Sequence, residues 1–172
     1  MSLTISTAHL DTIRAEARMA APCECCGLLL GAPAAGTVSD IVPAANVAAD
    51  PHHRFEIDPA TLLRAHRAAR DGGPAIMGHY HSHPAGEAVP SAVDAAMAEG
   101  RGEYWLLIGA DGTARVWRAG PTGQLHGRFE PLLLTVSPHP ALAPPGPDRH
   151  EGAAPDPRED ARLGTVHRPR SD

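Results

Sequence analysis

Histidine side chains cluster in one short segment of this chain. The segment Gly78-His79-Tyr80-His81-Ser82-His83-Pro84 overlaps Ala75–Ser82, which has the character of a buried strand. Side chains two residues apart on a strand point to the same face and lie about 7 Å apart, so His81 and His83 can bind one metal ion. His79 shares that face, but it lies about 13 Å from His83 along an extended strand, too far to bind the same ion.

A carboxylate follows at a spacing that can complete the site. Pro84 ends the strand, and the loop 85–90 is long enough to bring the chain back to the histidine pair. Ser91 is a candidate helix N-cap, which places Asp94 on the first helical turn. Two imidazoles and one carboxylate are the three-ligand set of a catalytic zinc, whereas a structural zinc is closed by four protein ligands. We therefore predict one Zn²⁺ per chain.

Each of these residues also has a simpler interpretation. A single histidine on a strand is usually a polar residue without a metal. Ser91 can be a helix cap and nothing more. Metal-assisted hydrolysis also needs a base that is not itself a ligand, and Glu24 is the candidate, just before an apolar run bounded by glycines. Residue type alone favours a solvated loop glutamate at that position.

The elements that must position these residues alternate between helix and strand. Helical spacing of apolar residues begins at Ser6 and ends at Pro22, and Asp58-Pro59 is a typical helix start. The predicted strands are Cys26–Gly31, Thr37–Val42, Ala75–Ser82, Tyr104–Gly109, Thr113–Arg118 and Leu125–Val136, with a short extended piece at Phe55–Ile57 and a capped helix at Ser91–Glu99. The fold class is α/β with a mixed sheet.

Composition limits the rest of the chain. The 172 residues are 42% apolar, carry a net charge of −5 and include no lysine, so no basic patch suggests a nucleic-acid partner. No apolar run is long enough to span a membrane. Three closely spaced cysteines favour a reducing compartment, so we expect a cytoplasmic protein. Residues 1–136 form the predicted domain, and residues 137–172, which are rich in proline, form a tail predicted to be disordered.

The spacing of the site residues resembles a known family. The sequence His81-Ser82-His83-Pro84, then Ser91 and Asp94, with an upstream Glu24 in Glu-Cys-Cys-Gly-Leu-Leu-Leu-Gly, is similar to the JAMM motif of the MPN-domain metalloproteases. Tyr80, Asn46 and the run Arg54-Phe55-Glu56-Ile57-Asp58-Pro59 are similar to the short prokaryotic branch of that family. The resemblance covers about residues 3–135.

The resemblance implies a structure and a reaction. It implies a curved mixed β-sheet flanked by helices, the MPN/JAMM, cytidine-deaminase-like architecture. His81, His83 and Asp94 would bind zinc, Glu24 would act as general base, and Ser91 would donate a hydrogen bond to the oxyanion. The family cleaves peptide or isopeptide bonds after the C-terminal Gly-Gly of ubiquitin or ubiquitin-like proteins.

The short connections of this chain narrow the implied substrate. Tyr104 follows Asp94 by only ten positions, and seven residues lie between Asn46 and Arg54. The insertions with which the eukaryotic deubiquitinases of the family grip ubiquitin are therefore absent from these places. The resemblance then favours a small ubiquitin-like or sulfur-carrier protein ending in Gly-Gly as the partner. The oligomeric state stays open.

Three other interpretations compete with this one. Pro22-Cys23-Glu24-Cys25-Cys26 contains the Pro-Cys-x-x-Cys half of a zinc nucleobase deaminase, but the His-x-Glu half that should precede it is missing. A non-catalytic MPN-type binding module is the second, although such scaffolds usually lack the ligands. A cysteine nucleophile at Cys26 is the third, and it begins an apolar strand where an inert, buried thiol is typical.

Overall fold

Strands outnumber helices in this structure, a computed structural model that describes residues 1–138. The described elements are, in chain order, β1 Ser2–Ser6, α1 Thr7–Ala20, β2 Cys26–Ala32, β3 Thr37–Ala44, α2 Pro59–Arg70, β4 Ala75–His83, α3 Ala92–Met97, β5 Tyr104–Gly109, β6 Ala114–Ala119 and β7 Phe129–Ser137.

The strands form one mixed sheet in the order β1-β3-β2-β4-β5-β6-β7, and it closes into a barrel. β4 and β5 run parallel, while β2 is antiparallel to both of its neighbours, β3 and β4. The expected curved mixed sheet flanked by helices is confirmed. Its curvature reaches closure because β1 pairs in parallel with β7 over five residue pairs and touches β3 at Thr4 and Thr37.

Two details differ from the sequence prediction. The sequence predicts nothing ahead of the helix at Ser6, whereas Ser2–Ser6 forms β1, with Leu3 and Ile5 buried. The piece Phe55–Ile57 is not a strand of the sheet; it forms one bridge, between Asn46 and Ile57. This bridge closes the loop between Asn46 and Ile57.

The helix starts follow from their capping residues. The Ser6 hydroxyl accepts a hydrogen bond from the His9 N–H at the start of α1. Asp58 caps α2, accepting from the N–H groups of Ala60 and Thr61, and Pro59 occupies the first turn as predicted. Such caps each contribute about 1 kcal/mol of stability.

The core lies on both faces of the sheet, and β5 is buried on both sides. Leu106 and Ile108 pack on the α1 side, and Trp105 and Leu107 pack on the opposite side, against Phe55 and Phe129. Each fully buried side chain of this size contributes about 1.5–3 kcal/mol. β4 therefore lies beside a rigid, doubly buried strand.

Tyr80 ties α1 to β4. Its side chain is buried, and its hydroxyl donates a 2.6 Å hydrogen bond to the Glu16 carboxylate of α1. The ring occupies the space above Gly27, where an added Cβ would lie 2.4 Å from ring atoms. Glycine at position 27 is thus required by the close approach of Tyr80.

In residues 1–138, no helix has the combination of length and apolarity that a bilayer crossing requires. The predicted tail, residues 137–172, lies outside the described residues apart from Ser137, which ends β7, and Pro138.

Candidate metal centre

β4 places its alternate side chains on two faces, one toward Phe55 and Trp105 and the other toward α1. His79, His81 and His83 point to the side of Phe55 and Trp105, where their rings contact the aromatic cluster or one another. Tyr80 points to the α1 side. The His81 side chain is fully buried and that of His83 is 13% exposed. The two-residue alternation predicted from the sequence is therefore present.

Asp94 reaches the histidines from the first turn of α3. Ser91 is the N-cap and Asp94 the third helical residue, as predicted, and the two form a capping box. The Ser91 hydroxyl accepts from the Asp94 N–H at 3.1 Å, while Asp94 Oδ2 accepts from the Ser91 N–H at 2.6 Å and from the Ser91 hydroxyl at 2.8 Å. These bonds fix the carboxylate.

Three donor atoms converge at this point. His81 Nε2 and His83 Nε2 are 3.1 Å apart, and they lie 3.5 and 3.4 Å from the two carboxylate oxygens of Asp94. Donor atoms around a tetrahedral ion with bonds of about 2.0–2.1 Å are about 3.3–3.4 Å apart. One ligand atom from each of the three residues can be chosen so that all lie within 4.8 Å of one another, a group compact enough for a single ion. It is the one metal-capable group found among residues 1–138.

The protonation states suit metal binding. Burial lowers the pKa of His81, which keeps its imidazole neutral. For Asp94, burial acts to raise the pKa, but the two neighbouring imidazoles outweigh it and hold the pKa well below its usual range. His83 Nδ1 lies 3.0 Å from the Glu87 carbonyl, so Nδ1 carries the hydrogen and Nε2 keeps its lone pair for a ligand bond.

His79 lies outside this group, as its spacing requires. Its ring packs 4.0 Å from Trp105 and 5.1 Å from Phe55, measured between ring centroids. Burial lowers its pKa to about 3, so it is a neutral member of the aromatic cluster. Three further histidines, His52, His53 and His126, are exposed loop residues.

Glu24 lies between α1 and β2 and is only 6% exposed. The solvated-loop interpretation is wrong, because the loop 46–56 covers this segment and holds its backbone. Its Oε2 is buried and has no hydrogen-bond partner among the described residues. Burial raises the pKa of Glu24 to about 7, against the attraction of the nearby His83.

Ser82 joins the Glu24 segment to the metal-binding strand. Its hydroxyl accepts from the Cys25 N–H at 2.9 Å, and its own N–H donates to the Cys25 carbonyl at 3.1 Å. Ser82, which lies between the two histidines, therefore fixes Cys25, the residue that follows Glu24. The sequence did not predict this role of Ser82. It also did not predict that Phe55 stacks on His81, with 4.4 Å between the ring centroids.

The cysteines take no part in the metal-capable group. Cys25 and Cys26 are buried, and burial raises the pKa of Cys26 to about 12, so its thiol stays protonated. A thiolate nucleophile or ligand needs the opposite shift. The deaminase and cysteine-nucleophile interpretations therefore have no site in residues 1–138.

An open groove of about 700 Å³ runs beside Glu24. The end of α1, the segment 23–26 and the end of β3 form its walls. Glu16 and Glu24 are the charged side chains among its described lining, which also includes Met19, Ala20, Cys23, Cys25, Cys26, Pro43, Ala44, Ala45, Asn46 and Pro51. The lining of the groove is therefore mainly uncharged.

Comparison with known proteins gives a consistent picture. The family model described as prokaryotic homologs of the JAB domain matches residues 6–120. A desampylase of Haloferax volcanii is 37% identical over 121 residues, 67% of this chain and 87% of that protein. A Thermus thermophilus protein named "Probable TtuB-protein conjugate cleaving protease" is 36% identical over 103 residues, 60% of this chain and 67% of that protein.

A solved structure shows the same fold. The solution structure of a Desulfitobacterium hafniense protein superposes with a TM-score of 0.68 at 26% sequence identity. The match covers 81% of this chain and 94% of that chain.

The buried charge of Glu24 predicts a pH-dependent stability. Its carboxyl has a folded-state pKa of about 7, above its ordinary value of 4.5, so the folded state binds the proton more tightly than the unfolded state. Protonation of Glu24 therefore stabilises the folded state fully below about pH 4.5, and this stabilisation is lost as the pH rises through about 7. Glu24→Gln, which stays neutral, should therefore melt at a higher temperature than the wild type above pH 7 but not at pH 4.5.

The measurement is the melting temperature of chelator-stripped protein from pH 4.5 to 8.5. Glu56→Gln, which removes an exposed glutamate of the neighbouring loop, is the matched control and should follow the wild type. Identical curves for Glu24→Gln and wild type would contradict the buried, unpaired state of Glu24.

Proposed function

Because this chain belongs to the Prok-JAB family, the prokaryotic homologs of the JAB domain, we propose that it is a zinc-dependent peptidase or isopeptidase acting on conjugates of a small ubiquitin-like or sulfur-carrier protein. One observation carries the proposal. The Nε2 atoms of His81 and His83 lie 3.1 Å apart, and each lies within 3.5 Å of one oxygen of the Asp94 carboxylate. A buried glutamate, Glu24, accompanies them without joining the group. The names of the desampylase and of the conjugate-cleaving relative support the substrate class.

His81, His83 and Asp94 would hold one Zn²⁺ per chain. Two imidazoles and a carboxylate form the three-ligand set typical of catalytic zinc, and a structural site would need a fourth protein ligand. When bound, zinc polarises a substrate carbonyl and lowers the pKa of a coordinated water toward ~7. The neutral His81 and the ionised Asp94 suit this ion. Burial acts to lower the pKa of His83, but interaction with Asp94 outweighs it and raises that pKa, so metal binding would compete with a proton at that residue.

Glu24 would act as the general base. Its buried Oε2 has no competing hydrogen-bond partner among residues 1–138, so it is free to take a proton from the attacking water and later deliver it to the leaving amine. A base is most effective when its pKa lies near the working pH, and burial raises the pKa of Glu24 toward that range. A cation at the neighbouring triad favours the ionised form.

Ser91 would donate a hydrogen bond to the oxyanion that forms at the scissile carbonyl. In the structure its hydroxyl hydrogen is directed to Asp94 Oδ2, at 2.8 Å. Oxyanion binding therefore requires this O–H to rotate from Asp94 to the substrate, while the Ser91 N–H keeps its own 2.6 Å bond to the carboxylate. In the competing interpretation, Ser91 caps α3 and takes no part in catalysis.

The groove beside Glu24 suits an extended tail without side chains. β3 pairs with β2 over its length but with β1 only at Thr37 in the described part of the chain, so most of its outer edge is open there. A peptide can add to such an edge by main-chain hydrogen bonds. Two glycines in the bound tail would let its backbone approach the protein closely, since they carry no Cβ.

The zinc assignment predicts a loss of metal on removal of a ligand. His83→Ala should retain far less zinc than the wild type, which should hold one ion per chain, because two ligands remain of three. Elemental analysis after dialysis measures the content. His53→Ala, which removes an exposed imidazole outside the group, should keep its zinc; full retention in His83→Ala would count against the site.

The general-base role predicts a loss of rate without a loss of metal. Glu24→Gln keeps the side-chain size but cannot take a proton, so kcat on a carrier fusion cleaved after Gly-Gly should fall about 10²- to 10⁴-fold. Zinc content and carrier binding should stay unchanged. Normal turnover would make Glu24 a bystander, and loss of zinc would make it a ligand.

The two interpretations of Ser91 predict different results for Ser91→Ala. Loss of the cap should cost about 1 kcal/mol of stability in either case. If the hydroxyl also binds the oxyanion, kcat should fall by about ten-fold or more. Denaturant unfolding and steady-state kinetics on the same variant distinguish them, and an unchanged kcat would leave Ser91 as a cap alone.

A further inference from the structure

Asn46 is the only asparagine in the chain, and its side chain makes four hydrogen bonds. Its Nδ2 donates to the Glu24 carbonyl at 3.0 Å and to the Arg54 carbonyl at 3.1 Å. Its Oδ1 accepts from the Ala48 N–H at 3.1 Å and from the Glu56 N–H at 3.0 Å. A carboxamide offers two donor hydrogens and two acceptor lone pairs, so all four positions are used and none is left for a substrate.

These bonds connect the loop 46–56 to the backbone of Glu24. The Glu24 N–H donates to the Pro51 carbonyl at 2.8 Å, and its carbonyl accepts from Asn46. Both main-chain polar groups of Glu24 are therefore bonded to this one loop. The loop is closed at its base by the Asn46 and Ile57 bridge and by the Asn46 bond to Glu56.

The same loop also contacts a metal-binding histidine. Phe55, next to Glu56, stacks on the His81 ring with an interplanar angle of 22° and is 4% exposed. The loop thus holds Glu24 through hydrogen bonds and His81 through ring packing. The distance between the carboxylate and the metal group depends on the shape of the loop, and Asn46 is where its two ends are joined.

We infer that Asn46 is a positioning residue that sets the place of Glu24 relative to the metal group. The Glu24 side chain cannot set that place itself, because its buried Oε2 has no partner among the described residues. Its position must come from its backbone. Ser82 fixes the following residue, Cys25, from the β4 side, and Asn46 fixes Glu24 itself from the loop side. The catalytic part of this inference rests on the proposed function.

Asn46→Asp is the sharpest variant. It keeps the two acceptor bonds to Ala48 and Glu56 and removes the two donor bonds, including the one to Glu24. A misplacement of about 1 Å at a catalytic group costs on the order of 10²-fold in rate. We therefore expect kcat on a Gly-Gly carrier fusion to fall at least ~10-fold, with KM within ~2-fold and zinc content unchanged.

Ala49→Asp is the matched control, because it adds the same charge at an exposed position of the same loop without touching the Asn46 bonds. Its kcat should stay within ~2-fold of the wild type. If Asn46→Asp does not fold, Asn46→Ala, which adds no charge, takes its place with the same expectation. An unchanged kcat, or a rise in KM alone, would overturn the inference.

A double-mutant cycle separates positioning from a general structural role. If Asn46 acts through Glu24, Asn46→Asp should change kcat by less than ~2-fold in a Glu24→Gln background, because the group that it positions is already inactive. A merely structural role gives the same loss in both backgrounds. Equal losses would therefore overturn the inference.

Amide hydrogen exchange tests the inference without any activity. In chelator-stripped Asn46→Asp, protection of the Glu24 amide should fall by about ten-fold, while that of Leu29 in β2 stays unchanged and Ala49→Asp behaves as wild type. Unchanged protection at Glu24 would overturn the inference. If the wild type cleaves no carrier fusion but the exchange result holds, the proposed function fails and the backbone role of Asn46 stands.

Discussion

The two-residue alternation of β4 is the constraint on which the candidate site depends. Its odd-numbered residues, His81 and His83, face Asp94 and the aromatic cluster, while Tyr80 reaches Glu16 of α1 and Ser82 bonds to Cys25. One strand therefore presents the two histidines of the candidate metal group and, through Tyr80 and Ser82, holds the helix and the segment on either side of Glu24. A one-residue shift in the register of β4 would turn each set of side chains to the opposite face. It would destroy both the histidine pair and the contacts that hold the neighbouring elements.

Two buried polar atoms at the candidate site lower the stability of the fold. Glu24 Oε2 and His81 Nδ1 are buried without a hydrogen-bond partner among the described residues, and each such atom costs about 1–3 kcal/mol. The doubly buried β5 and the capped helices offset this cost and keep the polar atoms in place. Both atoms belong to residues at or beside the candidate metal group, and strongly shifted titratable groups are typical of functional sites.

The sequence predicted the site better where the geometry is local. The histidine pair follows from strand alternation, and Asp94 follows from the Ser91 cap, since both rules act within four residues. Glu24 was a candidate base from its position, but residue type favoured a solvated glutamate and the resemblance alone gave it the role, because its burial depends on a loop more than twenty residues away. Asn46 and Phe55 were noted only as parts of a matching sequence, since their contacts to Glu24 and His81 depend on how that loop folds back. β1 was missed because its Leu3 and Ile5 alternation is short and runs directly into a helix.

The closure of the barrel has a consequence for how the domain opens. β1 is joined to β7 by a five-residue parallel ladder but to β3 by a single pair, Thr4 and Thr37. The seam between β1 and β3 is therefore the part of the barrel with the fewest bonds to break. Sub-global opening there would carry β1 and β7 away as one unit and leave β2, β4 and β5 paired. β4, which carries the two histidines of the candidate site, is paired with β2 and β5 away from this seam, so opening at the seam leaves the pairing of β4 intact.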